Sequence, residues 1–372
     1  MKKILMCFGT RPEAIKMASL VHELQKSEKL SVKICVTAQH RQMLDQVLEF
    51  FEIIPDFDLD IMKTNQSLNE LSGRIFVAID KVYEEVKPDM VLVHGDTTTS
   101  AICAWAAFHR GIKVGHVEAG LRTFDKYSPF PEELNRQITG KIADFHFAPT
   151  KLSGKNLLGE KINTDSVLIT GNTVIDSLLW TQKKLANNFE NERIKELKLN
   201  LDFTKQIILV TGHRRENFGD GFLNICQSLI EIGKNKNIEI VYPVHLNPNV
   251  QKPVLELLSG RNNIHLIEPL DYPTFVWIMN KSYFIITDSG GVQEEAPSLG
   301  KPVLVMRNTT ERPEAVEAGT VILVGTDRQK IVAEAQKLLN NEQEYNKMKQ
   351  AHNPYGDGKA SERIREFLEN RL

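Results

Sequence analysis

Apolar runs of strand length alternate with amphipathic helical stretches along nearly all of this chain, in two successive blocks. The first block predicts strands at 3–9, 32–38, 88–96, 112–120, 143–149 and 166–172. The second predicts them at 206–212, 238–245, 264–269, 283–288, 302–306 and 320–325. Near-continuous apolar strands are those buried on both faces of a parallel sheet. Strand–helix alternation supplies the crossover helices that cover those faces. The expected fold class is therefore α/β, with two Rossmann-like domains facing across a cleft. The boundary is expected near 170, giving an N-terminal domain 1–170 and a C-terminal domain 171–356. A last helical stretch, 357–372, is able to pack back onto the first domain. The polar stretch 187–206 carries few order signals, and 54–66 reads as irregular.

Composition narrows the function classes. A chain of 372 residues with 41% hydrophobic and 25% charged residues can bury a core in each of two domains. Its net charge of −2 argues against nucleic acid or a membrane surface as the main partner. No apolar run reaches membrane-spanning length. The chain opens directly on a strand, and Cys7, Cys35, Cys103 and Cys226 lie far apart in apolar stretches. They read as reduced core thiols, and the expected compartment is the cytoplasm. No His, Cys and acid cluster has metal spacing, so no metal is expected.

In open α/β sheets ligands bind outside the carboxyl ends of the strands, so the residues at those ends are the candidates. Gly9-Thr10-Arg11-Pro12-Glu13 follows the first strand, and Arg11 and Lys16 put two cations around a helix start. They read as an anion site or as solvated bases. Asp96 and Glu118 end two successive strands separated by one helix, so two carboxylates share one end of the sheet. Glu132-Glu133 opens a helix that also carries Asn135 and Arg136. In the second block, His213 follows the first strand and His245 the next. The stretch DSGGVQEEAPSLGKP at 288–302 turns on Ser289, Gly290 and Gly291 into a short helix carrying Glu294 and Glu295. Adjacent glycines at a strand-to-helix turn admit a close backbone approach by an anion such as a diphosphate. Taken alone the stretch is equally an ordinary tight turn. Arg312 reads as an anion contact or an exposed loop charge.

Longer motifs carry a resemblance. FGTRPEAIKMA at 8–18, TAQHRQMLDQ at 37–46, HGDTTT at 94–99, GHVEAGLRT at 115–123, PEELNR at 131–136 and GHRREN at 212–217 resemble the non-hydrolysing UDP-N-acetylglucosamine 2-epimerases. So do YPVHLNPNV at 242–250, DSGGVQEEAPSLGKPVLVMR at 288–307, TTERPEAVEAGT at 309–320 and NPYGDGKAS at 353–361. The resemblance implies the glycosyltransferase-B type of fold. It also implies reversible conversion of UDP-GlcNAc to UDP-ManNAc at sugar carbon 2, without NAD or an essential metal, supplying ManNAc units for surface polysaccharide. By it, Ser289, Gly290 and Gly291 hold phosphate, Glu295 holds the ribose, and Phe275 lies against uracil. Arg312 and His213 reach the phosphates, with Arg11 and Lys16 from the first domain. Asp96, Glu118 and Glu132 work on the sugar, with Arg136 beside them. The resemblance further implies a homodimer and activation by UDP-GlcNAc at Gln39, Gln42, Gln66 and Glu132. Asn65 stands where some relatives carry an arginine.

Three rival readings share the motifs in part. A glycosyltransferase of the same fold would need an acceptor site, and none is legible. A hydrolysing epimerase would release UDP. A non-catalytic UDP-sugar sensor would not need three acids and His213.

Overall fold

The computed structural model describes residues 1–38, 41–63 and 66–372, and all of their side chains but that of Gln42. Two compact units form, Met1–Trp180 with Tyr355–Leu372 and Thr181–Pro354. The division falls inside the helix Thr173–Ala186, beyond the expected boundary near 170. A continuous helix crosses it, so no loop or change of composition marks it in the sequence.

Among the described residues the first unit holds seven strands: β1 (Lys2–Phe8), β2 (Leu30–Val36), β3 (Phe57–Asp58), β4 (Met90–His94), β5 (Lys113–Val117), β6 (Phe145–Ala148) and β7 (Val167–Ile169). They are ordered β3-β2-β1-β4-β5-β6-β7, all parallel. The second holds β8 (Gln206–Thr211), β9 (Ile238–Pro243), β10 (Ile264–Ile267), β11 (Phe284–Thr287), β12 (Val303–Val305) and β13 (Val321–Leu323). Their order is β10-β9-β8-β11-β12-β13, again all parallel. Both are Rossmann-like sheets. In each, the chain reverses its direction of growth beside the first strand, between β1 and β4 and between β8 and β11. Those are the topological switch points, where a crevice opens outside the strand ends.

The burial follows the apolar pattern. Ile4 through Phe8 are fully buried, and helix Arg11–Gln25 turns Ala14, Met17, Ala18, Val21 and Leu24 inward. Helix Leu68–Val86 starts on a capping box, with Ser67 accepting from the Glu70 N–H at 3.2 Å and Glu70 accepting from the Ser67 N–H at 2.8 Å. Leu71, Ile75, Ile79, Val82 and Val86 bury its inner face, each worth roughly 1.5–3 kcal/mol. The four cysteines are free and buried. Among the described residues no helix is long and apolar enough to cross a membrane.

The tail is stitched to the first unit. The Asn172 N–H donates to the Tyr355 carbonyl at 2.7 Å, and Asp176 accepts from the N–H groups of Ala360 and Ser361 at 3.2 and 2.8 Å. Helix Ala360–Arg371 then lies along helix Arg11–Gln25, with Arg365 paired to Glu23 at 2.9 Å.

Two stretches that read as weakly ordered are structured. Within 187–206, Glu192–Asn200 is a helix capped by Asn191, whose side-chain amide also donates to Asp271 and Thr274 at 3.1 and 2.9 Å. Only Ile194 and Leu197 of it are buried, too few to give a visible apolar period. Within 54–66, Phe57–Asp58 adds the edge strand β3, paired to β2 with Phe57 packed against the core.

Candidate active site

At the first switch point the loop after β1 and the loop after β4 are tied by one carboxylate. Glu13 is buried and accepts from the N–H groups of Gly9 and Thr10 at 3.0 and 2.8 Å. It also accepts from the Thr97 and Ser100 hydroxyls at 2.6 and 3.1 Å. Burial holds its pKa above the usual carboxylate value in spite of these donors. Gly9 is required for close approach, since a Cβ there would overlap the Thr37 hydroxyl. Arg11 is the first residue of the helix that follows.

The expected acids meet beside this loop. Glu118 lies one residue past β5 in the left-handed region, with φ of 61°. Its carboxylate pairs with Lys16 and accepts from the Asn172 side-chain amide at 2.8 Å. Asp96 pairs with Arg136, and its backbone carbonyl accepts from the Asn135 side-chain amide at 3.0 Å. Burial raises the Asp96 pKa, and the nearby Glu118 charge adds to this, against Arg136 and Lys16. A proton is therefore held on Asp96 more readily than on an ordinary aspartate. Glu132 begins helix Glu132–Ile142, and its Oε2 is buried with no hydrogen-bond partner among the described residues. Its neighbour Glu133 is spoken for: it accepts from the N–H groups of Thr123 and Phe124 at 3.0 and 3.1 Å and holds the loop before the helix. Behind them, burial pushes His94 down to about 4 and His116 down to about 3, so both imidazoles are neutral near pH 7.

At the second switch point the centre is Asp288, fully buried just past β11. Its Oδ2 accepts from the N–H groups of His213 and Arg214 at 2.9 and 2.8 Å, and from the Asn217 side-chain amide at 3.3 Å. This shapes the loop after β8. The His213 ring stacks on His245, centroids 5.1 Å apart and planes within 13°. Burial lowers the His213 pKa, the Asp288 charge opposes it, and His245 and Arg214 lower it further.

Beyond Asp288, Ser289 precedes helix Gly290–Glu295 without a side-chain capping bond, and the helix tightens into the turn Ala296–Leu299. Arg312 lies over the start of that helix: a Cβ added to Gly290 would sit 2.5 Å from its Nη1. The guanidinium is held there by Glu294, Nε to Oε1 at 2.6 Å. The Glu295 carboxylate accepts from the Tyr272 hydroxyl at 2.8 Å. Phe275, partly buried, sits about one turn further along the same helix, Tyr272–Lys281.

The structure thus gathers Lys16, Asp96, Glu118 and Arg136 at one switch point. At the other it gathers His213, the 289–291 turn, Arg312 and, through Tyr272, Glu295 and the helix of Phe275. Gln39 and the side chain of Gln42 lie outside what is described. Gln66 is bonded to Arg74, which also donates to the Ile61 carbonyl at 3.2 Å. Sequence reasoning passed over Glu13, Asn172, Tyr272 and Asp288 as site residues and named Glu294 without its tie to Arg312. Of these, Glu13 had a signal, the Thr10-x-x-Glu13 capping box, and Asp288 had its place at a strand end.

The comparisons agree on one family. The family model described as UDP-N-acetylglucosamine 2-epimerase matches residues 22–369. The chain is 57% identical to the UDP-N-acetylglucosamine 2-epimerase of Salmonella typhimurium (strain LT2) over 370 residues, 99% of this chain and 98% of that one. It is 57% identical to that of Escherichia coli (strain K12) over 372 residues, with the same coverage. The crystal structure of UDP-GlcNAc 2-epimerase from Neisseria meningitidis bound to UDP-GlcNAc superposes with a TM-score of 0.90 at 52% identity, covering 99% of this chain and 100% of that one.

Proposed function

The chain belongs to the UDP-N-acetylglucosamine 2-epimerase family, and from that premise we propose that it interconverts UDP-GlcNAc and UDP-ManNAc. One observation carries the reading within the molecule. Asp96 and Glu118 stand at adjacent strand ends, each beside a cation, and burial raises the Asp96 pKa. That is an acid–base pair suited to moving a proton on and off one carbon.

The chemistry sets the demands. Carbon 2 of the sugar bears no carbonyl, so its proton is weakly acidic and needs a positioned base. The C2–H electron pair becomes the C1–C2 double bond of 2-acetamidoglucal, and the C1–O pair leaves with UDP. Return of a proton to the opposite face of carbon 2 and re-addition of UDP at carbon 1 complete the epimerisation. In this reading Asp96, Glu118 and Glu132 share the two proton transfers. The unpartnered oxygen of Glu132 supports its inclusion, and Arg136 and Lys16 hold the first two in place. The departing diphosphate gathers negative charge, which cations and N–H groups fixed in advance stabilise most. Arg312, His213, Arg11 and the turn Ser289-Gly290-Gly291 are assigned to it. Glu295, oriented by Tyr272, takes the ribose hydroxyls, and Phe275 lies against uracil.

The same reading makes the protein a cytoplasmic homodimer activated by UDP-GlcNAc through Gln39, Gln42, Gln66 and Glu132. Sedimentation and the substrate dependence of the initial rate test those two features. The central test is incubation of the purified protein with UDP-GlcNAc alone, followed by NMR. Appearance of UDP-ManNAc to a stable ratio is the expected result. Accumulation of UDP and free sugar, or no reaction, refutes it.

A further inference from the structure

One oxygen at the second switch point is left without use by anything above. Asp288 is fully buried, and its Oδ2 is taken by three donors. Its Oδ1 is buried with no hydrogen-bond partner among the described residues. A carboxylate oxygen in that position is rarely left idle, because water has been removed from it and nothing has replaced the water. The nearest opposite group is the His213 imidazole, whose Nδ1 stands 3.6 Å away. That distance is beyond a hydrogen bond but closes with a small tilt of the ring. The ring plane is already set by the stack on His245, and roughly half of the His213 side chain, 47%, is exposed.

We propose that Asp288 is a positioning residue for His213: its Oδ1 accepts from the Nδ1–H of the imidazole, which leaves Nε2 to face the diphosphate and, in the imidazolium, to donate to it. The proposal rests on the reading of His213 as a diphosphate contact and adds to it which ring nitrogen does the work and why. An imidazole turns its second nitrogen on a ligand with a defined protonation only when the first is fixed by a partner. Asp288 also holds the backbone of His213 and Arg214 through Oδ2, so one carboxylate sets both the loop and the tautomer. Atoms balance without any covalent step: the imidazolium donates from Nε2 to a phosphate oxygen while its Nδ1 proton stays on the Asp288 side.

The pH consequence has a definite sign. The charged and titratable groups acting on His213 are Asp288 from the end of β11, His245 from beyond β9, and Arg214 from its own loop. Of these only Asp288 favours the imidazolium. If the imidazolium is the working form, kcat/KM falls as pH rises through the His213 pKa. Removing the Asp288 charge lowers that pKa and moves the falling limb to lower pH.

The variant is Asp288→Asn, whose amide oxygen can still accept from the two backbone N–H groups. The expected result is a falling limb of kcat/KM displaced by about one unit, a loss of about tenfold above the limb and little below it. An even loss at every pH would show that Asp288 serves the loop alone and would overturn the proposal. A second measurement does not depend on the variant folding or on turnover. In the native protein with UDP added, nitrogen-15 NMR of the histidines should find His213 carrying its proton at Nδ1, with Nε2 moved by UDP. If UDP moves Nδ1 instead, or neutral His213 carries its proton at Nε2, the proposal fails while the phosphate reading survives. If UDP binds and moves neither nitrogen, both fail.

Discussion

Substituting Gly290 by alanine separates the ligand role of the 289–291 turn from its role in folding. No positive φ is found at Gly290, and the residue is the first of a helix, so alanine suits its backbone. The obstacle is Arg312. A Cβ at this position would lie 2.5 Å from Nη1 and 2.7 Å from Cζ, so the guanidinium must retreat by about 0.9 Å to reach the 3.4 Å of ordinary contact. The tip of an arginine can do so at little cost to the fold. The retreat does break the alignment with Glu294: a 2.6 Å bond lengthened by that amount leaves hydrogen-bond range. Displacing a charged donor from a phosphate costs roughly 1.5–3 kcal/mol, or about 10- to 150-fold in Kd. Calorimetric titration with UDP should therefore show that loss in Gly290→Ala, with the fold retained. Adding Arg312→Ala should weaken binding little further, because both changes remove the same contact. A folded Gly290→Ala protein that binds UDP as the native protein does would refute the assignment of this turn and of Arg312. Fully additive losses would refute the link between them.

Three further outcomes follow from the same geometry. In deuterium oxide, UDP-ManNAc should form with deuterium at carbon 2, and each of Asp96→Asn, Glu118→Gln and Glu132→Gln should lower turnover by about a hundredfold or more with UDP affinity nearly intact; product that keeps its original proton refutes the elimination route, and near-native turnover in all three refutes the choice of acids. Glu13→Ala strips the acceptor from two N–H groups and two hydroxyls and should destabilise the protein by about 2–4 kcal/mol in denaturant unfolding; a change under about 0.5 kcal/mol refutes its tying role. The Arg363 hydrogen bond depresses Asp357 to about 2 from 3.8, so its contribution is present above about pH 4 and lost as pH falls through 2; the pair is half exposed, so Asp357→Asn should cost under about 1 kcal/mol at pH 7, and a cost that grows on acidification contradicts the sign.

Alternating apolar runs and helical periods determined the class of fold, because a strand buried on both faces cannot hide its composition. They also located the strand ends, and with them Asp96, Glu118, His213 and the 289–291 turn. Their alternation did not reveal the helix Glu192–Asn200, whose surface-facing lysines and glutamates carry the helix with only two buried apolar residues. Nor did it mark a domain division that runs through the middle of a helix. The partners of the site residues were decided by strand order alone. β1 lies beside β4, β4 beside β5 and β8 beside β11, which brings Glu13 to Thr97, Lys16 to Glu118 and Asp288 to His213 across 75 residues or more. No local pattern encodes such a pairing. Whether a carboxylate is a ligand contact, a tie between two loops or the anchor of an imidazole depends on which donors the folded sheet sets in front of it.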